Sequence, residues 1–267
     1  MTVAFNHLGQ LGQLGNQMFQ YAAAKGVASK LDVPFMIPNH RQVFDDGIGN
    51  RYTILLFNAF KLTSASLLGT LRTENYVQEN GFTFNKDLFK IDKTENCSLY
   101  GFFQTEKYFK HIEKQIRKDF AFKNEIKDEC DDLIKQFTNP IALHIRRGDF
   151  VWNNKNHPPL SLDYYKSALE LFDSDREVII FSDDTEWCIE QELFADDSIM
   201  ISEGNDADID LCLMSKCNYH IIANSSFSWW GAWLADSEHV IAPMDWFAAT
   251  CADKSVRDMT FGNWTWL

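Results

Sequence analysis

"IALHIRRGDF", residues 141–150, decides the fold. Ile141–Ile145 read as a short apolar strand, and Arg146, Arg147 and Asp149 follow at once. The same order recurs downstream. "EVIIF" (177–181) runs into Ser182, Asp183 and Asp184, "SIMI" (198–201) into Ser202 and Glu203, and "HIIA" (220–223) into Asn224, Ser225 and Ser226. "HVIAP" (239–243) is one more strand. Helical stretches separate them. Ser161 opens one through Phe172, and Asp184 opens one near Trp187. Asp208–Cys217 carries Ile209, Leu213 and Cys217 on one face, and Ser225–Ser226 open the run with Trp229, Trp230 and Trp233. Short apolar strands alternating with helices of about ten residues imply parallel βαβ units.

In an open parallel sheet, ligands bind beyond the carboxyl ends of the strands. The polar residues above all fall there, and their chemistry is complementary. A guanidinium grips phosphate through two parallel hydrogen bonds. Ser225 and Ser226 stand at a helix N-terminus, whose N–H groups and dipole favour an anion. Together they describe a diphosphate site. A carboxylate at a neighbouring strand end can accept both N1–H and N2–H of guanine, a donor pair that adenine lacks. Taken singly, each feature has a plainer meaning. Arg-Arg is a surface pair, Ser-Ser a helix cap, and Asp183-Asp184 a cap or metal ligands. His144, inside its strand, suits a core histidine as well as a ligand contact. Trp229 and Trp233 share an i, i+4 face and read as core. Convergence on one crevice favours the functional meaning.

The first half is less regular. Val3–Asn6 and "VPFMIP" (33–38) read as strands, and residues 40–100 give weak signals. "LGQLGQLGNQMFQYAAAKG" (8–26) places Gly9, Gly12 and Gly15 before a helix that Asn16 can cap and that runs to Leu31, with Met18, Tyr21, Ala22 and Ala28 on one face. Its Gly-x-x-Gly-x-x-Gly spacing is not the dinucleotide fingerprint, and Asp32 precedes the second strand instead of following it. The loop suits close backbone approach to a ligand held mainly by the other domain. Glu106–Phe120 reads as an amphipathic helix with Phe109, Ile112, Ile116 and Phe120 inward. Lys107, Lys110, Lys114, Arg117 and Lys118 form its outer face, a solvated surface first and a weak membrane-surface or anionic-acceptor contact second. The break at "QFTNP" (136–140) divides the chain into domains 1–137 and 138–267.

The 267 residues carry a net charge of −13, which disfavours nucleic acid as a partner, and 45% hydrophobic residues suffice for real cores. Six cysteines form no CxxC pair; Cys212, Cys217 and His220 lack a fourth ligand and read as core, with thiols in a reducing compartment. No apolar run approaches the roughly 20 residues of a membrane span. The expectation is a cytoplasmic protein, with a peripheral place at the inner membrane face as the lesser alternative. Neither GxSxG nor GxxxxGK[ST] occurs, against hydrolase and P-loop chemistry.

"GQLGNQMFQYA" (12–22), "GFFQTEKYF" (101–109), "HIRRGD" (144–149), "FSDDTEW" (181–187), "DLCLMSKC" (210–217) and "IIANSSFSWWGAWL" (221–234) appear in that order. The set resembles the bacterial α-1,2-fucosyltransferases of glycosyltransferase family 11 type, which also include the animal H-type enzymes. The resemblance implies an α/β, GT-B-like architecture of two Rossmann-like domains facing a cleft, an N-terminal acceptor-side domain and a C-terminal GDP-fucose-binding domain. It implies inverting, metal-independent transfer from GDP-fucose, a co-substrate and not a cofactor, to the 2-hydroxyl of an oligosaccharide or lipid-linked glycan containing galactose. Arg146 would take the diphosphate charge, with Asp149 beside it as a catalytic candidate. His144, Arg147, Ser225, Ser226 and Phe227 would line the donor, Asp184 would read guanine, and Gly15 and Asn16 would approach from the first domain. Gln13 stands where the family often has a second glycine, behind an additional Gly9-Gln10-Leu11. The alternatives are a non-catalytic glycan-binding protein and a fucosyltransferase of different linkage.

Overall fold

The computed structural model describes residues 1–39, 43–45, 51–62, 67–152, 154–155, 157–173, 175–251 and 255–267. The chain forms two compact units, Met1–Lys123 with Ser255–Thr260, and Asn124–Lys254 with Phe261–Leu267.

The first unit runs β1 (Val3–Ala4), α1 (Leu14–Leu31), β2 (Phe35–Ile37), β3 (Phe44–Asp45), β4 (Arg51–Tyr52), α2 (Leu56–Ala59), β5 (Leu67–Leu68), β6 (Tyr76–Gln78), β7 (Cys97–Tyr100) and α3 (Glu113–Asp119). Among the described residues, five of these strands form a parallel sheet in the order β5-β2-β1-β7-β6, while β3 and β4 pair antiparallel. The interior strand β7, "CSLY", was not expected from the sequence, because four residues without alternation give no strand signal.

Helix α1 corrects two expectations. It starts at Leu14 with Gln13 at the cap position, so Asn16 lies inside the first turn, and its side chain instead accepts a hydrogen bond from Gln104 Nε2 at 2.8 Å. Nor is one face buried: Leu14–Ala28 is buried almost all round. The glycine loop folds back onto this helix. Gly9 and Gly12 have φ of +95° and +89°, and a Cβ at Gly12 would meet Asn16 Nδ2 at 2.2 Å. Gln17 Nε2 donates to Gly12 O (3.3 Å) and Gln20 Nε2 to Leu11 O (2.8 Å), so helix side chains hold the loop.

The expected helix over 106–120 is broken into two 3₁₀ turns, Glu106–Tyr108 and Lys110–Ile112, ahead of α3, yet its stripe of Phe109, Ile112, Ile116 and Phe120 is buried as the spacing predicts. Its basic face is interleaved with carboxylates. Lys107 pairs with Asp258, Lys110 lies 3.1 and 3.0 Å from Glu106 and Glu113, and Arg117 lies 3.0 Å from Glu113. That pairing gives no support to a membrane contact.

The second unit runs α4 (Asn124–Leu133), β8 (Ile141–Ile145), α5 (Gly148–Trp152), α6 (Leu162–Leu169), β9 (Val178–Ser182), α7 (Thr185–Ile189), β10 (Ile199–Ile201), α8 (Ala207–Met214), β11 (Tyr219–Ile221), α9 (Ser226–Leu234), β12 (His239–Ala242) and β13 (Trp264–Trp266). Among the described residues its strands are all parallel, in the order β10-β9-β8-β11-β12-β13. This is the doubly wound order 3-2-1-4-5-6 of a Rossmann-type sheet. Leu143, Ile180, Ile221 and Ile241 fill its core. The edge strand β13 was not expected. Helix α4 joins this unit and not the first, because Cys130 Sγ reaches Ile209 O of α8 at 3.6 Å and Lys216 pairs with Asp131. The segment Ser255–Thr260 returns to the first unit, where Asp258 accepts from Phe84 N at 2.7 Å and pairs with Lys107.

Asp119 on α3, fully buried, meets the buried Lys25 of α1 and accepts from Tyr21 Oη at 2.9 Å. Removing one partner of such a pair leaves a charge in low dielectric, a loss of about 3–5 kcal/mol. Asp119→Ala should therefore lower the urea midpoint severely, and a midpoint within error of wild type would contradict this packing.

Candidate active site

In the second sheet the chain runs outward from β8 through β9 to β10, and in the opposite direction from β11 to β13. The crevice at the carboxyl ends of β8 and β11 is therefore the topological switch point. Three segments meet around it: residues 146–149 after β8, 182–184 after β9, and 224–227 after β11.

Asp183 joins the first two. Its Oδ1 accepts from the Arg147 backbone N–H at 2.8 Å, and its Oδ2 lies 2.9 Å from Arg146 Nη1. Gly148 makes room for this: a Cβ there would stand 2.4 Å from Asp183 Oδ2. Arg146 Nη2 bonds Asp149, and the guanidinium lies over the Phe150 ring at 5.6 Å. The Arg146 side chain is 28% exposed and Asp149 is 64% exposed, so the arginine is braced from below and open above.

Arg147 is turned the other way. Its Nε donates to Asp184 Oδ2 at 3.0 Å, and its guanidinium lies 3.9 Å from the centre of the Trp187 ring. Asp184 caps α7 through Oδ1, which accepts from Trp187 N at 3.2 Å, while its own N–H donates to Ser182 Oγ. Each carboxylate oxygen of Asp184 thus holds one partner and keeps a further lone pair.

His144 ties β8 to α9. Its Nδ1 is 2.9 Å from Ser228 Oγ, and its ring lies 5.6 Å from that of Phe227. Burial, with Arg146 adding to it, pushes the imidazole down to about 3, so it is neutral at pH 7. Ser225 is the cap of α9, its Oγ accepting from Phe227 N at 3.3 Å; Ser225, Ser226 and Phe227 are half-buried at the crevice. Asn224 is buried and donates to Pro158 O (3.0 Å) and Trp246 O (3.2 Å), a loop-holding role. After β10, Ser202 Oγ donates to Asp210 at 2.8 Å, and burial pushes that carboxyl up to about 6; Glu203 is exposed. Gly15 and Asn16 stand in the first turn of α1, in the first unit. His220, in β11, has Nδ1 2.9 Å from Ser237 Oγ and Nε2 2.9 Å from Met214 O, so both nitrogens serve the core.

The arrangement presents a fixed cation and a helix N-terminus on adjacent strand ends, the means of holding a diphosphate. Sequence reasoning passed over Asp183 as an organiser and missed Gly148, Phe150 and Trp187. The signal available was Asp-Asp after one strand and Arg-Arg-Gly after another. Strand adjacency, which aligns Ile145 with Ser182, was needed to join them.

The sequence model of Glycosyl transferase family 11 matches residues 4–267. The chain belongs to this family. It is 31% identical to the O-antigen biosynthesis glycosyltransferase WbnK of Escherichia coli and 34% identical to an alpha-1,2-colitosyltransferase of the same organism, each alignment covering 92% of this chain and 96% of the relative. It is 25% identical to galactoside alpha-(1,2)-fucosyltransferase 1 of Sus scrofa, over 86% of this chain and 65% of that one. Among solved structures it resembles the fucosyltransferase NodZ from Bradyrhizobium (TM-score 0.55, 13% identity, 87% and 93% of the two chains) and POFUT1 in complex with GDP (0.53, 12%, 88% and 94%). These shared folds place the α/β architecture in the GT-B class.

Two outcomes follow from the geometry. Gly148→Ala should displace Asp183 and loosen Arg146, lowering stability by about 1–3 kcal/mol, as overpacking does; thermal melting checks it. His144 has a folded pKa below its unfolded value, so its contribution is complete above about pH 6.5 and is lost as pH falls towards about 3. Urea unfolding of His144→Gln should show a shallower loss of stability on acidification, by up to about 1.4 kcal/mol per pH unit.

Proposed function

We propose that this family 11 enzyme transfers L-fucose from GDP-β-L-fucose to the 2-hydroxyl of a galactose-containing glycan, with inversion and without a metal. The observation that carries this is Arg146, braced by Asp183 at the switch point beside the N-terminus of α9. The names of the colitosyl and fucosyl relatives share the α-1,2 linkage, which supports that regiochemistry, and the O-antigen role in the name of WbnK supports a surface-glycan acceptor.

The bond from fucose C1 to the β-phosphate oxygen breaks heterolytically. The electron pair leaves with GDP, C1 gains oxocarbenium character, and the acceptor oxygen attacks the opposite face. Negative charge thus grows on the diphosphate, where Arg146 and the α9 dipole oppose it. Charge-assisted hydrogen bonds contribute about 1.5–3 kcal/mol each. In the free enzyme Asp149 occupies part of the guanidinium; this exposed pair holds by no more than about 1 kcal/mol, so a diphosphate can displace it. The released Asp149 is then the carboxylate beside the reacting centre and the candidate to take the acceptor proton. Asp184 has lone pairs left for guanine N1–H and N2–H. Both strand-end aspartates are already matched to arginines, which favours guanidinium over metal as the counter-charge.

The E. coli colitosyltransferase supports a second reading, a colitosyl donor on the same nucleotide. An acceptor screen with GDP-fucose, with linkage read by NMR, tests the assignment: an α-1,2-fucosylated galactoside supports it, and turnover with GDP-colitose alone selects the second reading. Turnover should survive EDTA; loss restored by Mn²⁺ or Mg²⁺ would contradict the metal-free mechanism. Arg146→Lys should fold normally and lose about 10²–10³ in kcat, because a point charge cannot reproduce the planar grip. Near wild-type kcat in that variant would mean that the charge is met elsewhere.

A further inference from the structure

The first sheet has its own switch point, between β1 and β7, since the chain runs outward to β2 and β5 on one side and β7-β6 lie on the other. A cavity of about 350 Å³ opens there, lined by His7, Tyr76, Gln78 and Tyr100. His7 follows β1, and Gln78 and Tyr100 end β6 and β7. The pairs Tyr76↔Ser98 and Gln78↔Tyr100 put Tyr76, Gln78 and Tyr100 on one face of the sheet. The His7 ring stands 5.0 Å from Tyr100, at 90°, and 5.4 Å from Tyr76, so three rings form the wall.

The wall is held in place before any ligand arrives. Asn6 N–H donates to Ser98 Oγ at 3.0 Å, and the Asn6 amide exchanges two hydrogen bonds of 2.9 Å with the backbone of Leu71, which fixes the segment bearing His7. Burial lowers the His7 pKa and keeps the ring neutral at pH 7. Its Nδ1 is buried with no hydrogen-bond partner among the described residues. Tyr76 remains 46% exposed on an edge strand.

We infer that this pocket is the subsite for an uncharged pyranose of the acceptor glycan. The inference rests on the transferase reading above and adds where the acceptor is held. Among the described residues the lining offers no fixed charge to hold a phosphate or carboxylate, which favours a neutral ligand. Aromatic walls take the C–H face of a sugar ring, and one amide and two phenols supply donors and acceptors for its hydroxyls. The volume is at the lower end of small-molecule sites, roughly 300–1,000 Å³, and suits one or two sugar rings.

Saturation-transfer NMR on the full chain tests this with lactose and a panel of glucose- and N-acetylhexosamine-containing disaccharides as probes. Irradiated aromatic protons should transfer magnetisation to the ring protons of at least one probe. Tyr76→Ala and Gln78→Ala should each weaken that probe by about tenfold, whereas Tyr76→Phe, which keeps the ring, weakens it less. GDP is titrated into the same samples. Wild-type protein that binds GDP but no disaccharide, or Tyr76→Ala and Gln78→Ala that both bind the probe as wild type does, overturns the subsite and leaves the donor site standing. Disaccharide binding that depends on Tyr76, in a protein that does not bind GDP, upholds the subsite and strikes the transferase reading instead.

Discussion

A single carboxylate, Asp183, sets the geometry on which the second unit's chemistry depends. It accepts the Arg147 backbone N–H with one oxygen and holds the Arg146 guanidinium with the other. Two parallel strand ends are thereby fastened together, and a cation is presented at a fixed height above the sheet. Gly148 is the condition for this contact, because any Cβ would occupy the space of the carboxylate oxygen. Arg147 completes the brace from the other side through Asp184 and Trp187. Two adjacent arginines therefore do different work: one is open to a ligand and the other clamps α7.

The α9 side is fastened by a neutral group. His144 bonds Ser228, and burial keeps it uncharged, so it adds no charge of its own beside Arg146. In the proposed transfer, preorganisation of this kind matters because further negative charge grows on the leaving diphosphate during reaction. A guanidinium already in place need not be moved or desolvated at that moment.

Much of this was legible in the sequence because the second unit is regular. "IALHI", "SIMI" and "HVIAP" gave β8, β10 and β12 to within a residue, and Ser161, Asp184 and Ser225 are the caps they promised to be. The first unit was harder for a physical reason. Its strands are two to four residues long, too short to show a period, and β7 is built of "CSLY". Asn16 is a cap residue by type, yet Gln13 takes the cap position and the helix begins at Leu14, three residues before the expected Gln17. The candidate site was legible as a set of strand-end residues, but not as a network. Which carboxylate faces which arginine depends on sheet order, and sequence spacing does not carry sheet order. The cavity of the first unit was invisible for the same reason, since His7, Tyr76, Gln78 and Tyr100 are brought together only by the β1-β7-β6 order.

The central claim is that the braced Arg146 receives a nucleoside diphosphate. Calorimetric titration of GDP into chelator-treated protein tests it directly, because free GDP carries the charge that the leaving group acquires. The account predicts saturable binding that Arg146→Ala weakens by about 10–100-fold, the equivalent of one charge-assisted contact. Equal GDP affinity in wild type and Arg146→Ala, with matching thermal melts, would contradict it.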